Sequence, residues 1–156
     1  MNLALQIGDT CPAFNLPDSQ GKQVEIASYL GKKILVIFFY PKDDTPGCTK
    51  EACAFRDAYA DFLDLSCEVF GISSDSSDSH AAFQNKHNLP YPLLSDQQKK
   101  VRQLFGVPGN LFGLIPGRVT YVVGLDSKIA GIFNSQTNPV GHIEEAIKVV
   151  KNLLTA

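Results

Sequence analysis

The sequence has no tryptophan, one methionine, three arginines and no Cys-x-x-Cys pair. Its longest aliphatic-aromatic run, Ile34 to Tyr40, is seven residues, against the roughly 20 needed to cross a bilayer as a helix. Net charge is only −2, so neither the basic footprint of a nucleic-acid binder nor a polybasic membrane patch is present. The missing Cys-x-x-Cys removes the usual ligand spacing of a zinc site and the redox motif of a thioredoxin. A cysteine phosphatase needs an Arg six residues after its nucleophile, but those positions hold Pro17, Ala54, Tyr59 and Ser73. No Gly-x-Ser-x-Gly or P-loop occurs. The first basic residue is Lys22 and the first Arg is Arg56, so neither a secretory signal nor an Arg-rich transit segment is expected. Four cysteines without such a signal point to a reducing, cytoplasmic setting.

What remains is a chain of 156 residues with 44% apolar and 19% charged residues. That length and balance predict one globular domain over residues 1–156. Ile34 to Tyr40 is continuous and rich in β-formers, the pattern of a central strand covered on both faces. Pro41 cannot continue the ladder. Thr45 is a suitable N-cap and Pro46 suits the first helical position. Ala52, Phe55, Tyr59, Phe62 and Leu63 then recur at helical spacing to about Leu65. A second strand is predicted over 68–73 and shorter helices over 80–87 and 97–105. Strands follow at 119–123 and 129–133, joined by a hairpin, and Ile143 to Leu154 forms a last helix. The segment before about Gln23 reads as extended chain or a hairpin. This order predicts an α/β fold, a mixed central sheet with helices on both faces, of thioredoxin-like type.

The four cysteines divide unevenly. Cys11 and Cys67 read as small packed hydrophobes. Cys48 falls in the first turn of the predicted helix, where free N–H groups and the helix dipole favour a thiolate. On a wheel of 100° per residue it shares the face of Ala52 and Phe55, so it points inward at the bottom of a small pocket. Position alone leaves an inert buried Cys equally open. Cys53 lies about 140° around and about 7.5 Å along the same helix, so the Cα atoms are roughly 8–9 Å apart. A disulfide tolerates about 7 Å, so any bridge between them requires the first turns to unwind. His80, His87 and His142 lie far from the cysteines in sequence and read as core or surface residues. No metal-binding or cofactor-binding residues are expected.

The segment Phe39-Tyr-Pro-Lys-Asp-Asp-Thr-Pro-Gly-Cys-Thr-Lys-Glu-Ala-Cys53 places Pro41, Thr45 and Cys48 in a P-x-x-x-T-x-x-C arrangement that resembles the peroxiredoxins. A second Cys five residues on is similar to their Q subgroup, also called bacterioferritin-comigratory type. The resemblance runs from Gly8-Asp-x-x-Pro12-x-Phe14-x-Leu16 through Pro92-Leu-Leu-Ser-Asp96 to Gly117-Arg118-Val-Thr-Tyr121. The Val107–Arg118 stretch is similar to cyanobacterial and plastid members.

The resemblance implies a thiol peroxidase acting on hydrogen peroxide and organic hydroperoxides, with thioredoxin or a similar dithiol as reductant. It implies that Cys48 is the nucleophile, passing through a sulfenic acid, and that Cys53 resolves it as an intramolecular disulfide. Thr45 would reach the thiolate and peroxide with its hydroxyl, or serve only as a cap. Pro41 would shape and shield the loop, or only end the strand. Arg118 would stabilise the thiolate and the leaving oxygen with its fork of donors. Glu51 would orient that Arg, or stand as a solvated helix residue. Glutathione peroxidase shares the reaction but uses a Trp, which this chain lacks. A peroxide-sensing or redox-regulated binding protein using the same thiol is the alternative. A monomer is expected, because no large exposed apolar stripe stands out. The plastid likeness leaves a mature plastid form as the alternative location.

Overall fold

The computed structural model describes residues 4–109 and 117–155. Most of the Val107–Arg118 stretch, residues 110–116, thus lies outside the described residues. In chain order the elements are β1 (Asn15–Pro17), β2 (Gln23–Glu25), β3 (Ile34–Phe39), α1 (Pro46–Asp64), β4 (Cys67–Ser73), α2 (Ser77–His87), β5 (Leu93–Ser95), α3 (Lys100–Phe105), β6 (Val119–Val123), β7 (Ile129–Asn134) and α4 (Gly141–Thr155). β1 and β2 form a small antiparallel hairpin. The other five strands make one sheet in the order β5-β4-β3-β6-β7. β3, β4 and β5 run parallel, while β6 and β7 are antiparallel to their neighbours.

β3 is the centre of the sheet and all six of its residues are buried. Because side chains alternate across a strand, Ile34, Val36 and Phe38 enter one core layer while Leu35, Ile37 and Phe39 enter the other. The first layer is closed by Ala52, Phe55 and Phe62 of α1, Phe83 of α2, and Ile143, Ala146 and Val150 of α4. The second is closed by Val101 and Phe105 of α3 and by Cys11, Phe14 and Leu16 of the N-terminal segment. Helices therefore cover both faces, as expected. A continuous apolar strand is what two covered faces demand.

The observed bounds refine the predicted ones. α2 starts at Ser77, earlier than expected, because Ser76 caps it by accepting from the Ser79 N–H at 3.1 Å. α3 is shorter than expected and begins after Asp96, whose carboxylate accepts from the N–H groups of Val101 and Arg102. β5 was not anticipated; three residues are too few to show a period. The N-terminal hairpin is present. Leu63, counted in the apolar stripe of α1, is 43% exposed.

Register explains why the site forms where it does. Val119 opens β6 opposite Phe39, the last residue of β3. Arg118 and the β3–α1 loop are thereby brought to the same edge. Arg102 ties that edge together: one guanidinium nitrogen donates to the Gly117 carbonyl at 2.9 Å and the other to the Tyr40 carbonyl at 3.0 Å.

Phe55 anchors α1 to the sheet, fully buried and stacked on Phe38 with ring centroids 4.4 Å apart. Phe55→Ala is expected to cost about 3–5 kcal/mol, measured as a lower denaturant midpoint.

Candidate active site

Thr45 precedes α1 in an extended conformation and Pro46 takes its first position. The N-cap location is as expected, but the Thr45 hydroxyl does not cap the helix. It donates instead to the Lys42 carbonyl at 2.9 Å, closing the loop on itself. Pro41 is half-buried beyond the end of β3.

Cys48 lies on the first turn of α1 and is 1% exposed. Its inward direction is as the helical wheel predicts, shared with Ala52 and Phe55. Arg118 reaches it across the sheet edge: Nη2 donates to Cys48 Sγ at 3.4 Å. Nη1 of the same side chain donates to Glu51 Oε1 at 2.8 Å, and Nε to the Gln136 carbonyl at 3.3 Å. Glu51 is fully buried, so it is not a solvated helix residue. It spends one oxygen on the guanidinium, which fixes the direction of the fork. Burial lowers the Arg118 pKa, but Glu51 and Cys48 outweigh it and the net shift is upward. The guanidinium is a permanent cation.

Gly47 is part of this arrangement. A methyl group there would stand 2.9 Å from Arg118 Nη2. The cation approaches Cys48 by crossing the one residue of the turn that has no side chain.

Cys53 is half-buried on the outer side of α1, and both it and Cys48 are free thiols on one continuous helix. The wound helix keeps them apart, as the geometry requires. Cys11 and Cys67 are free and buried, and burial pushes each thiol up to about 12. Both therefore stay in the thiol form rather than the nucleophilic thiolate.

Two sets of residues escaped the sequence reading. The first supports the loop. The Tyr40 hydroxyl donates to Asp43 Oδ1 at 2.6 Å, Ser79 Oγ donates to Asp43 Oδ2 at 2.8 Å, and His80 Nδ1 lies 2.7 Å from Oδ2. The Asp43 N–H donates to Asp75, which also accepts from Ser73. Asp43, Asp75 and His80 bring ligand-type atoms within 4.8 Å of one another. Those atoms are already committed to Tyr40, Ser79, Ser73 and the Leu94 carbonyl. The cluster is built as a hydrogen-bond network that pins the loop to α2. The second set, Thr120 and His142, stands behind Glu51. Only the pattern Asp-Asp-Thr-Pro in the loop hinted at the first set. No local signal marked the second, whose members are separated by 91 positions from Glu51 to His142.

Chemically, the arrangement offers a sulfur nucleophile with a fixed cation beside it and a buried carboxyl behind the cation. Gly47→Ala is expected to displace the guanidinium and slow alkylation of Cys48 about tenfold, the loss of one charge-assisted hydrogen bond. A rate equal to wild type would show that Arg118 does not act on the sulfur.

Comparison with known proteins shows the family of the chain. The AhpC/TSA family model matches residues 7–132. The chain is 49% identical over 146 residues to the chloroplastic peroxiredoxin Q of Sedum lineare, covering 94% of this chain and 78% of that one. The crystal structure of the peroxidoxin BcpB from Mycobacterium tuberculosis superposes with a TM-score of 0.88 at 37% identity, covering 96% of this chain and 98% of that one. PrxQ from Xylella fastidiosa, solved as a Cys-to-Ser mutant, gives 0.84 at 29% identity, with 98% of each chain covered. The chain belongs to the AhpC/TSA family and, within it, is a peroxiredoxin of the Q subgroup, a thiol-dependent peroxidase.

Proposed function

We propose that peroxide reduction in this protein runs through Cys48 and Cys53 in one peroxiredoxin domain. The observation that carries the reading is the Arg118 fork, 3.4 Å from Cys48 Sγ and 2.8 Å from Glu51. The Cys48 thiolate attacks the terminal oxygen of the hydroperoxide. The S–O bond forms as the O–O bond breaks, and the leaving alkoxide or hydroxide takes up a proton. Arg118 supplies donors to the charge moving from sulfur to the leaving oxygen, the type of preorganised stabilisation that costs no rearrangement during reaction. Thr45 and Pro41 border the same turn, and swinging the Thr45 hydroxyl from the Lys42 carbonyl to the peroxide would add a further donor. The substrate class is supported by a structural relative, the Xanthomonas campestris bacterioferritin comigratory protein, described for its alkyl peroxide reduction activity.

Resolution follows when the Cys53 thiolate attacks the sulfenic sulfur. An S–S bond forms and hydroxide leaves as water. Unwinding must break the hydrogen bond from the Tyr91 hydroxyl to the Ala52 carbonyl, 2.7 Å long, and the one from Arg118 to Glu51. An exposed disulfide then meets a dithiol reductant, for which thioredoxin is the fitting chemistry. The chain acts as a monomer in this scheme, since both cysteines belong to one helix. The chloroplastic names of the relatives favour the plastid reading of its location over the cytoplasmic one. The peroxiredoxin names of these relatives favour an enzyme over a peroxide sensor.

Cys48→Ser is expected to abolish peroxide consumption. Cys53→Ser is expected to consume one equivalent and then stall with thioredoxin; continued turnover would assign resolution to another thiol. Amide exchange over residues 45–55 is expected to be faster in the oxidised than in the reduced protein. Equal protection would exclude unwinding.

A further inference from the structure

His142 lies at the start of α4, fully buried, and its two ring nitrogens have different neighbours. Nε2 is 2.8 Å from the Ser135 carbonyl, which can only accept, so Nε2 carries the hydrogen. Nδ1, left as the acceptor, is 2.7 Å from Thr120 Oγ1 and 3.3 Å from Glu51 Oε2, two groups that compete for its one lone pair. Burial and the nearby Arg118 charge oppose a second proton and push the imidazole down to about 4, against the pull of the Ser135 hydrogen bond. His142 is therefore neutral and turns a lone pair toward Glu51.

Glu51 has used Oε1 on Arg118. Its Oε2 is buried and has no hydrogen-bond partner among the described residues. An ionised Oε2 would then face a nitrogen lone pair in a dry site, with no donor to offset the lost solvation. A proton on Oε2 turns that repulsion into a donor shared with Nδ1. The direction of the Glu51 shift agrees: burial raises it to about 8, against the pull of Arg118.

We propose that His142 is a positioning residue that keeps Glu51 protonated on Oε2 in the reduced protein, so that the Arg118 charge faces Cys48 rather than being divided between two anions. This rests on the reading of Cys48 as the nucleophile and Arg118 as its partner. The site then holds one cation and one anion when the thiolate is formed. Among the described residues, the other charged or titratable groups facing Glu51 are Arg118 from the start of β6, Cys48 on its own helix, and Tyr91 from the segment before β5. Tyr91 is held well above the ordinary tyrosine range by burial and by Glu51 itself, so it stays neutral. As pH rises through about 8, Glu51 ionises and competes with Cys48 for the guanidinium. The rate of Cys48 oxidation then falls.

The test is the pH dependence of Cys48 oxidation by hydrogen peroxide in stopped flow, for wild type, His142→Leu, His142→Asn and Cys48→Ser. Wild type is expected to show a falling limb near pH 8. Leu removes the acceptor for the Glu51 proton and the lone pair that opposes its loss. Both effects favour ionisation, so the limb is expected to move down by about one pH unit. Asn places an amide oxygen near the former Nδ1 position and is expected to restore the limb. A merely structural role for His142 would lower the rate at every pH without moving the limb. No falling limb in wild type, or one unmoved by His142→Leu, overturns the proposal. Infrared spectra of the reduced protein at neutral pH supply a second readout that needs no His142 variant. A protonated-carboxyl C=O band present in wild type and lost in Glu51→Gln is expected, and its absence overturns the proposal. Peroxide consumption by Cys48→Ser at the wild-type rate would instead overturn the reading of Cys48, while the infrared band still decides the state of Glu51.

Discussion

A buried guanidinium bound at once to a sulfur and a carboxyl is the contact around which this molecule is arranged. Taking a cation out of water is costly unless its donors are met and its charge is answered. Arg118 meets that condition with Glu51, Cys48 and the Gln136 carbonyl, which come from α1 and from the turn after β7. The antiparallel pairing of β6 with β3 is what delivers it there, because Val119 stands opposite Phe39. Arg102 then joins the two strand ends through their carbonyls. The Asp43 network pins the intervening loop. Each of these features makes sense as a way to hold one cation against one thiol.

The same helix has to satisfy two opposed demands. Its inner face carries Cys48, Ala52 and Phe55, which belong to the core and are held by stacking on Phe38 and by Tyr91. Its outer face carries Cys53, which is useful only if the first turns come apart. The attachments weaken toward the N-terminus. Phe55 and Phe62 are deep in the apolar layer, whereas in the turn from Pro46 to Lys50 Cys48 alone is buried. Local opening from the N-terminal end therefore leaves Phe55 and Phe62 in place on the sheet.

Much of this was legible in the residues. The unbroken run Ile34–Phe39 implied a strand covered on both faces, and Thr45-Pro46 implied the start of α1. The helical wheel placed Cys48 inward and Cys53 about 140° around from it. Those are local signals, and local signals survive folding when the pattern is strong. Glu51 was ambiguous because a Glu one turn into a helix is usually solvated; only the strand register that brings Arg118 across the edge makes it a core residue. His142 and Thr120 were invisible for the same reason, being joined to Glu51 by topology alone. β5 was too short to announce itself. Nothing local sets Asp43 apart from its neighbour Asp44, yet one of the pair is buried and the other exposed.

The two buried cysteines outside the active site have a different kind of meaning. A protein that handles oxidant directly is exposed to its own substrate more than any bystander is. Cys11 and Cys67 are held as thiols by burial, with values near 12, and the chain carries a single methionine, at position 1. Apart from the two cysteines of α1, the chain therefore presents little sulfur that peroxide can consume. The hydrophobic core thus acts as chemical armour, sparing the scaffold from the reaction it supports and confining oxidation to a helix from which it can be reversed.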